Sequence, residues 1–106
     1  MLRIAVPGIA LVAALAGAPA PAKAAEIVVT IEKLVFSPVD ITALPGDTIR
    51  WVNKDFIAHT ATAKDKSFDV MLPAHGEGTL VVKTAGTISY FCRFHPMMKG
   101  VIKVGE

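Results

Sequence analysis

One cysteine, one tryptophan and one tyrosine are all that this chain of 106 residues carries of those types. A single cysteine excludes any internal disulfide, the usual staple of a small exported domain. Charge bias is also missing. Arg3 and Lys23 are two of the eleven Lys and Arg; without them nine basic residues stand against nine acidic ones, scattered singly. That balance gives no footprint for nucleic acid. The apolar run from Ile4 to Ala16 is shorter than the roughly 20 residues a membrane-spanning helix needs. Pro7, Gly8, Gly17 and Pro19 interrupt or flank it. Beyond that run no segment keeps a helical period.

What is present begins with an address. Arg3, the apolar run and a small-residue stretch ending Ala22-Lys23-Ala24 have the layout of a secretory signal peptide with an Ala-x-Ala cleavage site. The expectation is a cleaved leader over residues 1–24 and one domain over 25–106, soluble, without stable membrane insertion, in the periplasm. A leftover thiol in an oxidising compartment needs an occupant, and a metal ion would serve.

The rest of the chain alternates with a period of two. Glu26–Phe36 reads as one strand with Ile27, Val29 and Ile31 on one face. Val39–Leu44 is a short second strand, stopped by Pro45-Gly46-Asp47. Thr48–Asn53 places Ile49, Trp51 and Asn53 together, and Ala58–Ala63 carries His59. Phe68–Leu72, Gly78–Thr84, Thr87–Cys92 and Val101–Val104 follow, with Ile88, Tyr90 and Cys92 sharing the core side. The count predicts an all-β fold, an antiparallel Greek-key β-sandwich of about seven strands. Trp51 belongs to its core.

Chemistry concentrates in Tyr90–Val101. Cys92, His95 and Met98 follow at intervals of three residues in a loop between two strand-like runs. A thiolate, an imidazole and a thioether form a soft, polarisable set that suits copper better than magnesium or calcium. A trigonal blue-copper centre needs a second imidazole. His59, at the start of a strand and beside apolar Ile57 and Ala58, fits that role better than His75, which sits in the Pro73–Gly76 turn facing solvent. Met97 competes with Met98 as the sulfur donor. A Cys–His nucleophilic pair is a rival reading, but no orienting Asn or Asp is evident in the sequence. A copper chaperone or store without an electron-transfer role is a stronger rival, and an ordinary β-domain the blandest one.

Cys-x-x-His-x-x-Met followed by Gly-Val-Ile-Lys-Val, with an upstream His after a Trp-Val-Asn strand, resembles the cupredoxins from about Ile27 to Val104. The short loop is most similar to the amicyanin-like branch on a plastocyanin-like core. The resemblance implies one type 1 copper per chain, held by His59, Cys92, His95 and axial Met98. It implies an electron carrier rather than an enzyme, a monomer that meets its partners transiently. Those partners would be redox proteins of dehydrogenase, oxidase or cytochrome type, docking near His95, Pro96 and Met97. Phe94, Met71, Leu72 and Pro73 are further candidates for an apolar rim. It also implies that His95 can take up a proton and leave Cu(I). Several family members place Asn after the first ligand His and Ser or Thr after the Cys; Thr60 and Arg93 stand there instead, so hydrogen bonding around the sulfur is expected to differ.

Overall fold

The computed structural model describes residues 23–106, so the expected leader lies outside the described residues apart from Lys23 and Ala24. Nine strands follow in order: β1 (Glu26–Glu32), β2 (Val35–Ser37), β3 (Asp40–Ala43), β4 (Thr48–Asn53), β5 (His59–Ala63), β6 (Asp69–Leu72), β7 (Glu77–Val81), β8 (Gly86–Phe91) and β9 (Lys99–Val104). They form a four-stranded sheet, β2-β1-β4-β7, and a five-stranded sheet, β3-β9-β8-β5-β6. The β-sandwich expected from the sequence is therefore present. Among the described residues no helix is long and apolar enough to cross a membrane.

Two features correct the sequence reading. The strand expected over Glu26–Phe36 is a hairpin, because Lys33 and Leu34 turn the chain with φ of 54° and 62°. Left-handed backbone at two non-glycine residues is costly, and the Asp55 carboxylate offsets it by accepting both amide N–H groups, at 2.8 and 3.0 Å. The sheets are also mixed rather than antiparallel. β1 runs parallel to β4 and β3 parallel to β9, while the remaining pairs are antiparallel. Residue alternation fixes which face is buried and carries no information about strand direction.

The faces fall as the period predicts. Val29 and Ile31 from β1, Ile49, Trp51 and Asn53 from β4, Tyr90 from β8 and Cys92 just beyond its end are all buried. Trp51 and Tyr90 meet edge to face at 5.5 Å, and the indole Nε1–H donates to the Tyr90 hydroxyl at 3.2 Å. Phe36 packs against the same ring at 4.8 Å. Burial pushes the Tyr90 phenol up to about 12 despite that bond. The ring also explains Gly100 on β9: a Cβ there would lie 2.4 Å from a Tyr90 ring carbon. A glycine at this crossing lets β9 pair with β8 directly above the last core aromatic, just where the sulfur-rich loop closes.

Candidate metal centre

Two segments meet at one end of the sandwich. The first is the loop from Asn53 to His59. Asn53 is buried at the end of β4, where a polar group on the core face must find partners. Its Nδ2 donates to the carbonyls of Ile57, Leu72 and Pro73 at 2.9, 3.2 and 3.1 Å, and its Oδ1 accepts from Asp55 N–H at 2.9 Å. The side chain thus pins the loop that delivers His59 to the head of β5, and brings Asp55 under it.

The second segment is the loop Cys92–Met98. His95 N–H donates to the Cys92 carbonyl at 3.2 Å, and Met98 N–H donates to the His95 carbonyl at 2.9 Å. Each step is a turn closed over three residues, which is the physical content of the Cys-x-x-His-x-x-Met spacing. Cys92 N–H closes the loop from the far side, donating to the Met98 carbonyl at 3.1 Å. Phe91 pairs with Lys99 just beyond, so the loop caps the β8–β9 ladder.

The structure brings His59, Cys92 and His95 together, with one ligand atom from each within 4.8 Å of the others. His59 Nδ1 and His95 Nδ1 are 3.2 Å apart, and Cys92 Sγ is 3.7 Å from each nitrogen. The point equidistant from atoms so spaced lies about 2 Å from all three, the length of a metal–imidazole bond. The donor set therefore fits a small soft metal ion in size as well as in chemistry.

Burial separates the members. His59 and Cys92 have no exposed surface, Met98 is buried in the same core cluster as Cys92, and His95 alone is half-buried. His75 is exposed in its turn and is not among the three clustered ligands, and Met97 is 84% exposed. Leu72, expected in a surface rim, is instead fully buried core, because it is the inward residue opposite His59 on β6. Phe56, which the sequence did not single out, is 82% exposed on the loop leading to His59.

Asp55 is the residue that sequence reasoning missed. Its Oδ2 lies 2.8 Å from His59 Nε2. A carboxylate only accepts, so the imidazole proton sits on Nε2 and the Nδ1 lone pair is left facing Cys92 and His95. Burial alone would raise the Asp55 carboxyl, but hydrogen bonds from His59, Leu34 and Lys33 outweigh it and hold it below the usual range. The same geometry supplies the orienting acid that a Cys–His nucleophile was said to lack, yet the fully buried thiol has no approach for a substrate. The only signal in the sequence was an acid four residues before the histidine, which no local pattern marks out.

Around the sulfur, Thr60 N–H donates to Cys92 Sγ at 3.4 Å and Arg93 N–H donates to Thr60 Oγ1 at 2.8 Å. Thr60 and Arg93, which looked like departures, are joined to each other. Arg93 also lies over the Phe94 ring at 5.4 Å and bonds Asp69 on β6 at 3.1 Å.

Comparison with known proteins agrees with this architecture. The chain is 32% identical over 95 residues to an amicyanin of Paracoccus versutus, covering 84% of this chain and 70% of that one. It is 36% identical over 85 residues to a plastocyanin of Scenedesmus fuscus, covering 67% and 87%. The crystal structure of the Paracoccus versutus amicyanin superposes with a TM-score of 0.66 at 31% identity, over 80% of this chain and 84% of that one. The family model for a cupredoxin-like domain matches residues 5–104, and with the His–Cys–His cluster at the end of a mixed β-sandwich the chain belongs to the cupredoxin-like family.

Proposed function

We propose that the protein is a type 1 copper electron carrier, with one copper held by His59, Cys92 and His95 and by Met98 as the axial sulfur. The observation that carries this reading is the triangle of two Nδ1 atoms and one Sγ, with the His59 tautomer set by Asp55. When bound, copper supplies a one-electron Cu(I)/Cu(II) couple. The chain's own residues do the rest. Asp55 and Asn53 hold His59, the two turns hold Cys92 and His95, and β9 anchors Met98. Side chains fixed from several directions resist rearrangement, which keeps the barrier to electron transfer low.

His95, half-buried where its partners in the cluster are closed off, is the port through which the electron passes. Exposed Phe94, Pro96 and Met97 on its own loop, with Met71 and Phe56 on the flanking segments, offer partners an apolar rim. A small rim of this kind suits brief contact by a monomer with a redox protein of dehydrogenase, oxidase or cytochrome type. The leader over residues 1–24 would deliver the domain to the periplasm, and intact mass of the exported protein reads its removal directly. A chaperone that hands its metal on would leave the thiol open, and Cys92 is fully buried.

Colour tests the proposal. Cu(II) added to the purified domain gives an intense blue from thiolate-to-copper charge transfer. A colourless chain that binds Cu(I) tightly would instead be a store or chaperone.

A further inference from the structure

The four residues Thr60, Thr62, Asp69 and Arg93 form a closed hydrogen-bonded ring beside the sulfur. Arg93 N–H donates to Thr60 Oγ1 at 2.8 Å, the Thr60 and Thr62 hydroxyls are 2.8 Å apart, and Thr62 Oγ1 donates to Asp69 Oδ1 at 2.7 Å. Arg93 Nε returns to the same Asp69 oxygen at 3.1 Å. Hydrogen bonds from Thr62 and then Arg93 hold the Asp69 carboxyl below its usual range, so near neutral pH it is an acceptor alone.

Every direction in the ring is then fixed. The one proton of Thr62 goes to Asp69, so the proton between the threonines belongs to Thr60. The Thr60 oxygen, having given its proton away, accepts from Arg93 N–H. The three bonds running from Arg93 N–H through Thr60 and Thr62 to Asp69 all point one way and polarise each other. The inner end of this chain grips the peptide immediately after Cys92, and the backbone N–H of the same Thr60 points at the sulfur from 3.4 Å. The outer end lies at the surface: Thr60 is fully buried and Thr62 8% exposed, while the Asp69 and Arg93 side chains are 52% and 40% exposed.

We propose that Asp69 is a positioning residue for the Cys92 sulfur, acting through Thr62 and Thr60 to hold the Thr60 N–H···Sγ hydrogen bond and thereby the Cu(I)/Cu(II) balance. The inference rests on the copper-site reading above. A hydrogen bond to the thiolate draws electron density from sulfur and favours the reduced metal, as outer hydrogen bonds do at other metal–sulfur sites. A surface carboxylate on β6 thus reaches a buried thiolate without touching it.

Four single variants and one double variant of the copper-loaded protein test this by midpoint potential, with the blue band and thermal midpoint as companions. Thr62→Val keeps shape and the Asp69 charge but cuts the chain; Asp69→Ala removes its acceptor. Both are expected to shift the Cu(I):Cu(II) ratio at fixed potential by several-fold and up to tenfold towards Cu(II), tenfold being about 59 mV for one electron. Thr62→Ser restores the hydroxyl and Asp69→Asn keeps an accepting oxygen, so both stay within about twofold of the parent. The Thr62→Val, Asp69→Ala pair shifts no further than either change alone, because both break one chain. A parental potential in Thr62→Val overturns the proposal and leaves the ring a mere fastener. An Asp69→Asn shift as large as that of Asp69→Ala overturns it in favour of bare charge. Where Thr62→Val does not fold, the difference between Asp69→Asn and Asp69→Ala decides the same question. A parent protein that does not turn blue overturns the copper reading and this inference together, whereas a blue parent with unmoved variants overturns this inference alone.

Discussion

The two segments that build the centre are held in opposite ways. Cys92–Met98 is held mainly by its own two successive turns and a closing bond within seven residues, with outward ties from Arg93 to Thr60 and Asp69. The Asn53–His59 segment is held from afar: Asn53 reaches Leu72 and Pro73, and Asp55 reaches back to Lys33 and Leu34. A local loop can be preformed by its own sequence, whereas the His59 side exists only once β1, β2, β4 and β6 are in place. Among the clustered side chains, His95 on the turn-held loop is half-buried, while His59 on the segment held from afar is fully closed off.

That contrast can be broken from either side. The largest effect is expected from Cys92→Ala, which removes the sulfur and should abolish the blue band completely, while circular dichroism still shows the sandwich. Asn53→Leu comes next. It strands three carbonyls and the Asp55 N–H, each unpaired buried group costing about 1–3 kcal/mol, so a loss of about 3 kcal/mol and a fall in thermal midpoint of about 10–20 °C are expected by calorimetry of the metal-free protein. An equal loss from a change confined to the 93–97 loop would erase the distinction between the halves.

Asp55→Asn sharpens it. The amide can no longer hold the His59 proton on Nε2 as a carboxylate does, so copper affinity measured by competition with a chelator should fall about 10–100-fold. Asp55 also ties the His59 side to acid. Its carboxyl, like that of Asp47, whose cause is the amide hydrogen bonds of Ala25 and Leu44, is held below the usual range in the folded chain. A depressed folded value means stability that is fully present above about pH 4 and is lost as pH falls through the folded values. Denaturant midpoints of the metal-free protein should therefore be flat above pH 5 and fall below about pH 4, with the fall reduced in Asp55→Asn. The smallest effect on the molecule itself belongs to Met97→Asp. Stability should change by less than about 0.5 kcal/mol and the blue spectrum should stay, while electron exchange with a partner slows; loss of colour would make Met97 a ligand.

The same division explains what was legible in the sequence. Turn spacing is written into neighbouring residues, so the Cys92, His95 and Met98 grouping could be read directly, and alternation revealed the buried faces of Ile49, Trp51 and Tyr90. Strand direction could not be read, and the parallel β1–β4 and β3–β9 pairs came as a correction. Lys33 and Leu34 carry no turn signature of their own, because their left-handed backbone is stabilised by an acid more than twenty residues away. Asp55, Thr62 and Asp69 were invisible for the same reason. Asp55 sits on a loop four residues before His59 with no local pattern to mark it, and Thr62 meets Asp69 only across β5 and β6, so each looks like any solvent-facing polar residue until its partners are known.

X-ray absorption of the Cu(II)-loaded domain decides whether His59, Cys92 and His95 hold the metal. One copper with a single short thiolate sulfur and two imidazole nitrogens is expected, unchanged by His75→Ala and losing one nitrogen in His59→Ala. Copper without a thiolate neighbour, or a spectrum that responds to His75 rather than His59, would contradict that assignment.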